Sequence, residues 1–469
     1  MEKHNNNWKH LFSGSNSLKT SALCGGVALH AINVFLATTI LPSVINDIGG
    51  MQFYTWNTSL FIIASIIGSV VSPRLLSVRG PKSAYQLSII IFFIGTLLCT
   101  LAPNMLIMLA GRFVQGLGGG LLFSLSYSMV RIIFIENLWP RAMALISGMW
   151  GVAALSGPFI GGVFAQFGIW RMAFGSILFI SAVLLVLVFK VFPKKENLNP
   201  EKIHSPIPLL KLGVLTIAIL FVSIGSITTD LLINVGGISL AVLLILYLIR
   251  LEKNSLNRIL PKGSYLISSN IGSTYAVMTF LAFATTVEIF VPYFFQEIHK
   301  YSPLKAGYLT IIMALGWTSS SLLFSGATHE KLKRVLQIGP IIMCLGLVLL
   351  SILMPINFSS TPLGLTFTCL SLALIGAGIG IGWPHLLARV LSSADIGDED
   401  QASSSITTVQ LIATAFGAAF TGIVTNLAGI NDLDGVSGAQ NAAFWLFISY
   451  AIAPIFSLLI IRKYVIKRL

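Results

Sequence analysis

Apolar segments of about twenty residues follow one another along this chain with little between them. They fall at about 21–46, 56–79, 83–102, 105–131, 141–165 and 171–191, then at 209–228 and 231–249. Six more lie at about 268–296, 304–327, 335–355, 362–389, 402–428 and 440–461. About twenty apolar residues coiled as a helix span the roughly 30 Å hydrocarbon core of a bilayer. Lipid offers no hydrogen bonds, so a chain that crosses it repeatedly must satisfy its backbone within helices. The pattern predicts an all-α polytopic membrane protein of about 14 spans, grouped six, two and six.

Composition leaves no other solvent. Of the 469 residues 55% are hydrophobic and only 10% charged, against about 25% charged in soluble domains. Such a chain cannot clothe a globule in polar surface. Its four cysteines (Cys24, Cys99, Cys344 and Cys369) lie in apolar segments without CxxC spacing. They read as buried thiols, with no disulfide framework, metal site or cofactor expected. The first twenty residues are polar and read as a cytosolic tail, not a cleavable signal.

The net charge of +13 would suit a nucleic-acid partner until its placement is examined. With the N-terminus in the cytosol, the inner loops and tails hold 25 of the 29 lysines and arginines. The outer loops hold only Arg171, Lys300 and Lys305, and Arg112 lies within a span. Positively charged residues mark cytoplasmic loops, so the charge reports topology and nucleic acid drops out. Both termini are then cytosolic in a multi-pass protein of the cytoplasmic (inner) membrane, expected to act as a monomer. The map gives a tail (1–20), an N-terminal six-helix bundle (21–192), a linker (193–208) and an extra helix pair (209–250). A second linker (251–267) leads to the C-terminal six-helix bundle (268–469). The segments "GPFIGGVFAQFG" (157–168) and "GAAFTGIVTNLAG" (417–429) echo each other, each in the fifth span of its six. Two parallel six-span halves are a transporter architecture.

The fifth span carries "GMWGVAALSGPFIGG" (148–162), apolar throughout yet rich in poor helix formers. Gly148, Gly151, Ala154, Pro158 and Gly161 recur at steps of three or four, leaving one helix face nearly bare. Bare faces let membrane helices approach closely, and Pro158 frees the Ala154 carbonyl and bends the helix. The segment is either a static packing seam or a smooth bent surface on which two halves close and reopen.

Several segments in order now carry a family resemblance. "SGPFIGG" (156–162) resembles the fifth-helix antiporter signature of the major facilitator superfamily, and "GRFVQGLGGG" (111–120) its fourth-helix motif. "LATTILPSVINDIGG" (36–50) with "YTWNTSLF" (54–61), "WRMAF" (170–174) and "FVPYFFQEIHKYSPLKAGYL" (290–309) resemble the fourteen-span drug:proton antiporter branch. The resemblance runs nearly the whole length. It implies that superfamily's fold, with two six-helix bundles and an extra pair, and efflux in exchange for protons. It also assigns Gly151, Gly157, Pro158, Gly161 and Gly162, with Gly80 and Lys82 of the loop after the second span, to the conformational change.

The departures are specific. The second-span loop reads "PRLLSVRGPK" (73–82), with Pro73 for the usual glycine and Ser77 for the usual aspartate. In the first helix the usual aspartate, nine residues before Pro42, is Asn33, which carries no proton. A proton antiporter needs its titrating group elsewhere. Three embedded residues are candidates for coupling. Arg112 shares a face with Gln115, Gly116, Gly119 and Phe123. It stays protonated, so it tunes a neighbouring acid, attracts an anion or is purely structural. Glu288 is the acidic residue set well inside a span, with Thr285, Pro292 and Gln296 on its face; such a carboxyl either carries the proton or helps close an outer gate. His30, in a stripe with Asn33, Ala37 and Leu41, is either a proton carrier or a packing histidine. His385, beside Pro384 near a cytosolic helix end, is expected to meet water, as is the acidic run "DIGDED" (395–400).

The substrate cavity is drawn from Asn33, Gln115, Phe123, Trp150, Tyr293, Gln296 and Trp317, apolar walls with a few polar groups. An enzyme is disfavoured: none of the seven histidines is followed by an aspartate three to six residues on. "GAGIGIG" (376–382) lacks the lysine of a phosphate loop. A channel would show polar pore rings. The reading is a proton-coupled secondary transporter that exports drugs or other amphipathic small molecules, cations included. Its partners are a small-molecule substrate, protons and the lipid bilayer. An importer or exporter of a specific metabolite or siderophore on the same fold is the alternative.

Overall fold

The pattern of apolar segments becomes a pattern of helices. In a computed structural model the described residues are 8–50, 54–192, 208–225, 230–253, 255, 258–301, 303–356, 361–394, 398–430 and 435–468. Among them there is no β-strand. In order the helices are α1 (Ser15–Ile48), α2 (Tyr54–Thr100), α3 (Met105–Ile133), α4 (Trp139–Gln166) and α5 (Trp170–Val191). Then come α6 (Leu209–Gly225), α7 (Leu231–Lys253), α8 (Asn270–Thr285), α9 (Val291–Glu297) and α10 (Pro303–Phe324). The last five are α11 (His329–Leu353), α12 (Pro362–Ser392), α13 (Glu399–Leu427), α14 (Gly435–Tyr450) and α15 (Ile452–Ile460). Twelve helical stretches are long and apolar enough to cross a membrane, where about 14 were expected. Two features account for the difference. The expected second and third spans are the two arms of α2, which meet at Gly80, a residue with non-helical backbone angles (φ 73°, ψ 170°), and so count as one stretch. The apolar part of α6, Leu209–Val222, is shorter than the rest.

Two other spans are interrupted. The expected span 268–296 is α8, a tight 3-10 turn at Thr286–Ile289, and then α9 with Pro292 in its first turn. Proline has no N–H to return to the preceding turn, so the helix restarts there. The last span divides at Ala451 into α14 and α15. Most of the linker 193–208 lies outside the described residues.

Contacts divide the chain into two units. The first takes its described residues from Met1–Leu209, Leu256–Lys262 and Ala394–Leu411, and the second takes the remainder. In the first, α3 lies between the two arms of α2. A β-carbon on Gly116 or Gly120 would strike the backbone of Phe61 or Ser65 on one arm, and one on Gly118 the backbone of Phe92 on the other. Asn104 caps the N-terminus of α3 by accepting from the Ile107 N–H at 3.0 Å. The opening turns of α13 also belong to this unit: Ser69 Oγ lies 2.6 Å from both Thr407 Oγ1 and Thr408 Oγ1.

In the second unit, Gly376 and Gly380 of α12 meet the backbones of Met313 and Trp317 on α10. The extra pair packs Ala218 and Val222 of α6 on Ala241 of α7, against Phe416 of α13. Its ends are joined by a buried ion pair, Lys211 Nζ to Glu252 Oε1 at 2.5 Å. Large apolar side chains such as Phe179, Phe189, Leu232 and Leu323 are exposed, as lipid-facing surfaces require.

Candidate functional site

The glycines of "GRFVQGLGGG" explain how a guanidinium comes to be buried in the first unit. By drawing α3 against both arms of α2, they sink Arg112 to 1% exposure. Its Nε donates to the Asn57 carbonyl at 3.3 Å and its Nη1 to Gln115 Oε1 at 2.6 Å. The guanidinium lies 4.2 Å from the centre of the Phe61 ring, a cation–π contact. Gln115 is held in turn, its Nε2 donating to Thr96 Oγ1 at 2.8 Å. One arm of α2 thus supplies Asn57 and Phe61, and the other Thr96. No carboxylate among the described residues pairs with Arg112.

Toward α1 the polar cluster becomes aromatic. His30 is 1% exposed and stacks on Phe123, with ring centres 5.0 Å apart and planes 10° apart. Phe61 lies 5.3 Å from it and Trp150 of α4 meets it edge-on at 6.0 Å. His30 Nδ1, both amide atoms of Asn33, Asn57 Oδ1 and Trp150 Nε1 are buried without a hydrogen-bond partner among the described residues. Buried polar atoms are nearly always paired. Five unpaired ones beside a cation with no carboxylate partner among the described residues make this the candidate site of the first unit.

The conformational motif is largely a seam with α1. A β-carbon on Gly157 would meet Phe35 and the Ile32 carbonyl, and one on Gly161 would meet Ile40 and the Leu36 carbonyl. Gly151 is buried, while Gly162 faces open space. Pro158 lies inside a helix that continues to Gln166. Gly80 is the bend of α2, and Lys82 sits over the Phe189 ring of α5 at 4.3 Å. Ser77, at the aspartate position, donates to the Arg74 carbonyl at 2.9 Å.

The second unit holds the other candidates, which the sequence grouped with the first. Glu288 sits in the 3-10 turn between α8 and α9, part-buried and without a hydrogen bond or ion pair among the described residues. The turn breaks the helical register by which Thr285, Pro292 and Gln296 were to share its face; the side chains of Pro292 and Gln296 lie outside those described. Tyr293 is 39% exposed and meets Phe290 and Phe294. Trp317 meets Trp383 edge-on at 5.6 Å, and neither indole N–H has a hydrogen-bond partner among the described residues. His385 is buried, not in water: its Nε2 donates to the Phe324 carbonyl at 2.8 Å because glycines bring α12 close to α10. Of the acidic run, residues 395–397 lie outside the described residues, and Asp398 accepts from the Lys262 backbone N–H at 3.4 Å.

Asn57, Phe61 and Thr96 were not among the sequence candidates. The first two lie inside the quoted "YTWNTSLF" and were within reach of that motif; Thr96 stands in an ordinary apolar run with no signal. Among the described residues no group of three or more histidine, cysteine or acidic side chains could hold a metal.

Apolar helices in two units, with a charge and amides buried among aromatics, are the build of a polytopic membrane transporter. Comparison with known proteins narrows the class. The sequence matches the Major Facilitator Superfamily over residues 23–418. It is 35% identical over 431 residues to a probable multidrug-efflux transporter of Mycobacterium tuberculosis, covering 90% of each chain. It is 22% identical over 435 residues to multidrug resistance protein 3 of Bacillus subtilis, covering 89% of this chain and 83% of that one. The human organic anion transporter structure superposes with a TM-score of 0.69 at 14% identity, over 95% of this chain and 99% of that one, which bears on fold alone. The chain belongs to the Major Facilitator Superfamily, and it is a transporter and not an enzyme.

Proposed function

We propose that this protein exports drugs or other amphipathic small molecules across the cytoplasmic membrane in exchange for protons. The export reading draws on the multidrug-efflux names of relatives that match most of its length. It crosses about fourteen times with both termini cytosolic. Two observations support that count: α2 has 47 residues with a bend at Gly80, twice the length one crossing needs, and α6 is an additional apolar helix. The motifs of the fourth and fifth helices, and the extra pair α6–α7, favour the drug:proton antiporter branch.

Glu288 is the observation that carries proton exchange. A transported proton needs an acid that ionises without unravelling the fold around it. Glu288 is a carboxyl in a broken helix, free of ion pairs and hydrogen bonds among the described residues. Protonating it therefore breaks no bond. Asn33 and Ser77 stand where the family's carboxylates would be, so an acid elsewhere must serve, and Glu288 is one set within a span.

Everted membrane vesicles energised to an acidic interior test both halves of the proposal. Ethidium and carboxyfluorescein serve as cationic and anionic fluorescent probes. At least one dye accumulates in the wild-type vesicles, and a protonophore releases it. Glu288→Gln equilibrates that dye without concentrating it. Gradient-independent uptake of both dyes overturns proton exchange, and undiminished concentration by Glu288→Gln removes this residue from it.

A further inference from the structure

The buried cluster around Arg112 has a charge and a shape that name a substrate class. The guanidinium is all but sealed from solvent, and what it touches is a backbone carbonyl, an amide oxygen and an aromatic face. None of these carries a full negative charge. Its Nη2 makes no hydrogen bond among the described residues. A buried cation without a countercharge is costly, and protein sites of this kind are completed by an anion. Arginine's fork matches a carboxylate or sulfonate in two parallel hydrogen bonds.

The surroundings are aromatic. Phe61 bridges Arg112 and His30, and His30, Phe123 and Trp150 continue the aromatic surface onward. The unpaired groups at this end are the Asn33 amide, Asn57 Oδ1 and the Trp150 indole N–H, offering both donors and acceptors. We infer that the first unit binds a planar aromatic anion, its carboxylate or sulfonate on Arg112 and its ring among Phe61, Phe123 and Trp150. Cationic amphiphiles bind this site poorly, because each brings a second positive charge to a buried guanidinium. The inference deepens the proposed export function by giving its substrate a charge.

Equilibrium binding tests it apart from proton exchange, since no gradient is needed. The full chain in nanodiscs of zwitterionic lipid is dialysed against three radiolabelled probes that share one ring: 2-naphthoate, 2-naphthamide and 2-naphthylmethylammonium. Empty nanodiscs give the background. Charge-assisted hydrogen bonds predict about 10- to 100-fold tighter binding of the carboxylate than of the amide, with the ammonium weakest. Equal binding of the three, or tightest binding of the ammonium, overturns the assignment without touching the wild-type ranking of proton-driven uptake. Arg112→Gln is expected to reduce the anion preference to within about threefold. Arg112→Lys retains the order with weaker binding, and retention of the full preference by a folded Arg112→Gln also overturns it. No gradient enters this measurement, so a failure of coupling and a failure of anion recognition give different results.

Discussion

Gly120 of α3 lies against Ser65 of α2 so closely that a methyl group on the glycine would overlap the serine backbone. Ser65 Oγ also reaches across to donate to the Gly116 carbonyl at 3.0 Å. This contact fixes the depth of Arg112, since the Asn57 carbonyl and the Phe61 ring that meet the guanidinium both belong to α2. Gly120→Ala forces the two helices apart and is expected to cost about 1–3 kcal/mol, as overpacked cores do. Thermal unfolding in detergent measures it. Gly162→Ala, at a glycine of the fifth-helix signature with nothing within 4 Å of the added carbon, leaves the transition where it was.

Lys211 and Glu252 tie α6 to α7 through an ion pair shielded from solvent. Removing Glu252 takes away this pair and the acceptor of the Tyr265 hydroxyl at 3.5 Å, and breaking a buried pair costs about 3–5 kcal/mol. Glu252→Leu is expected to lower the unfolding temperature markedly. Adding Lys211→Met to it recovers much of the loss, because the double variant buries two apolar groups and no charge. A double variant as unstable as the sum of the two single ones would show that the pair contributes through its shape and not its charge.

Asp47 and Arg171 clamp the end of α1 to the start of α5, Arg171 Nη1 donating at 2.5 Å and the Trp170 indole at 3.1 Å to the same carboxylate oxygen. The Arg171 hydrogen bond, then that from Trp170, holds the Asp47 carboxyl below the usual carboxylate range. A lowered folded pKa makes its contribution complete above the unfolded value, about 3.9, and removes it as pH falls through the folded one. Asp47→Asn therefore lowers stability at neutral pH and changes it little at acid pH, which flattens the acid limb of a stability–pH curve. An acid limb unchanged by the substitution would show that other carboxylates set it.

Helical class was legible because lipid dictates it: length and apolarity follow from the thickness to be crossed and the need to pair every backbone group. Breaks within spans were not. Gly80 and Pro81 read as part of a loop, and the structure reduces that loop to one non-helical residue, Gly80, between two helical arms. Pro292 signalled a disturbance near Glu288, but not that the turn before it would take the carboxyl off the predicted helical face. The buried cation itself was visible as an arginine in an apolar run. Its partners were not: Thr96 reaches Gln115 only because glycines on two helices permit the approach, a matter of packing between segments far apart in sequence. His385 was misplaced for the same reason. Its neighbours in sequence suggested water, while its neighbours in space supply a carbonyl.

Proton exchange through Glu288 is tested most directly by adding substrate to purified protein in lightly buffered detergent and recording the pH. The dye that wild-type vesicles concentrate is the substrate to use. Its binding to wild-type protein is predicted to release protons, about one per transporter if this single carboxyl is the carrier. Glu288→Gln should bind the dye and release none. Equal proton release from wild type and Glu288→Gln would contradict exchange through this carboxyl, whatever its transport rate.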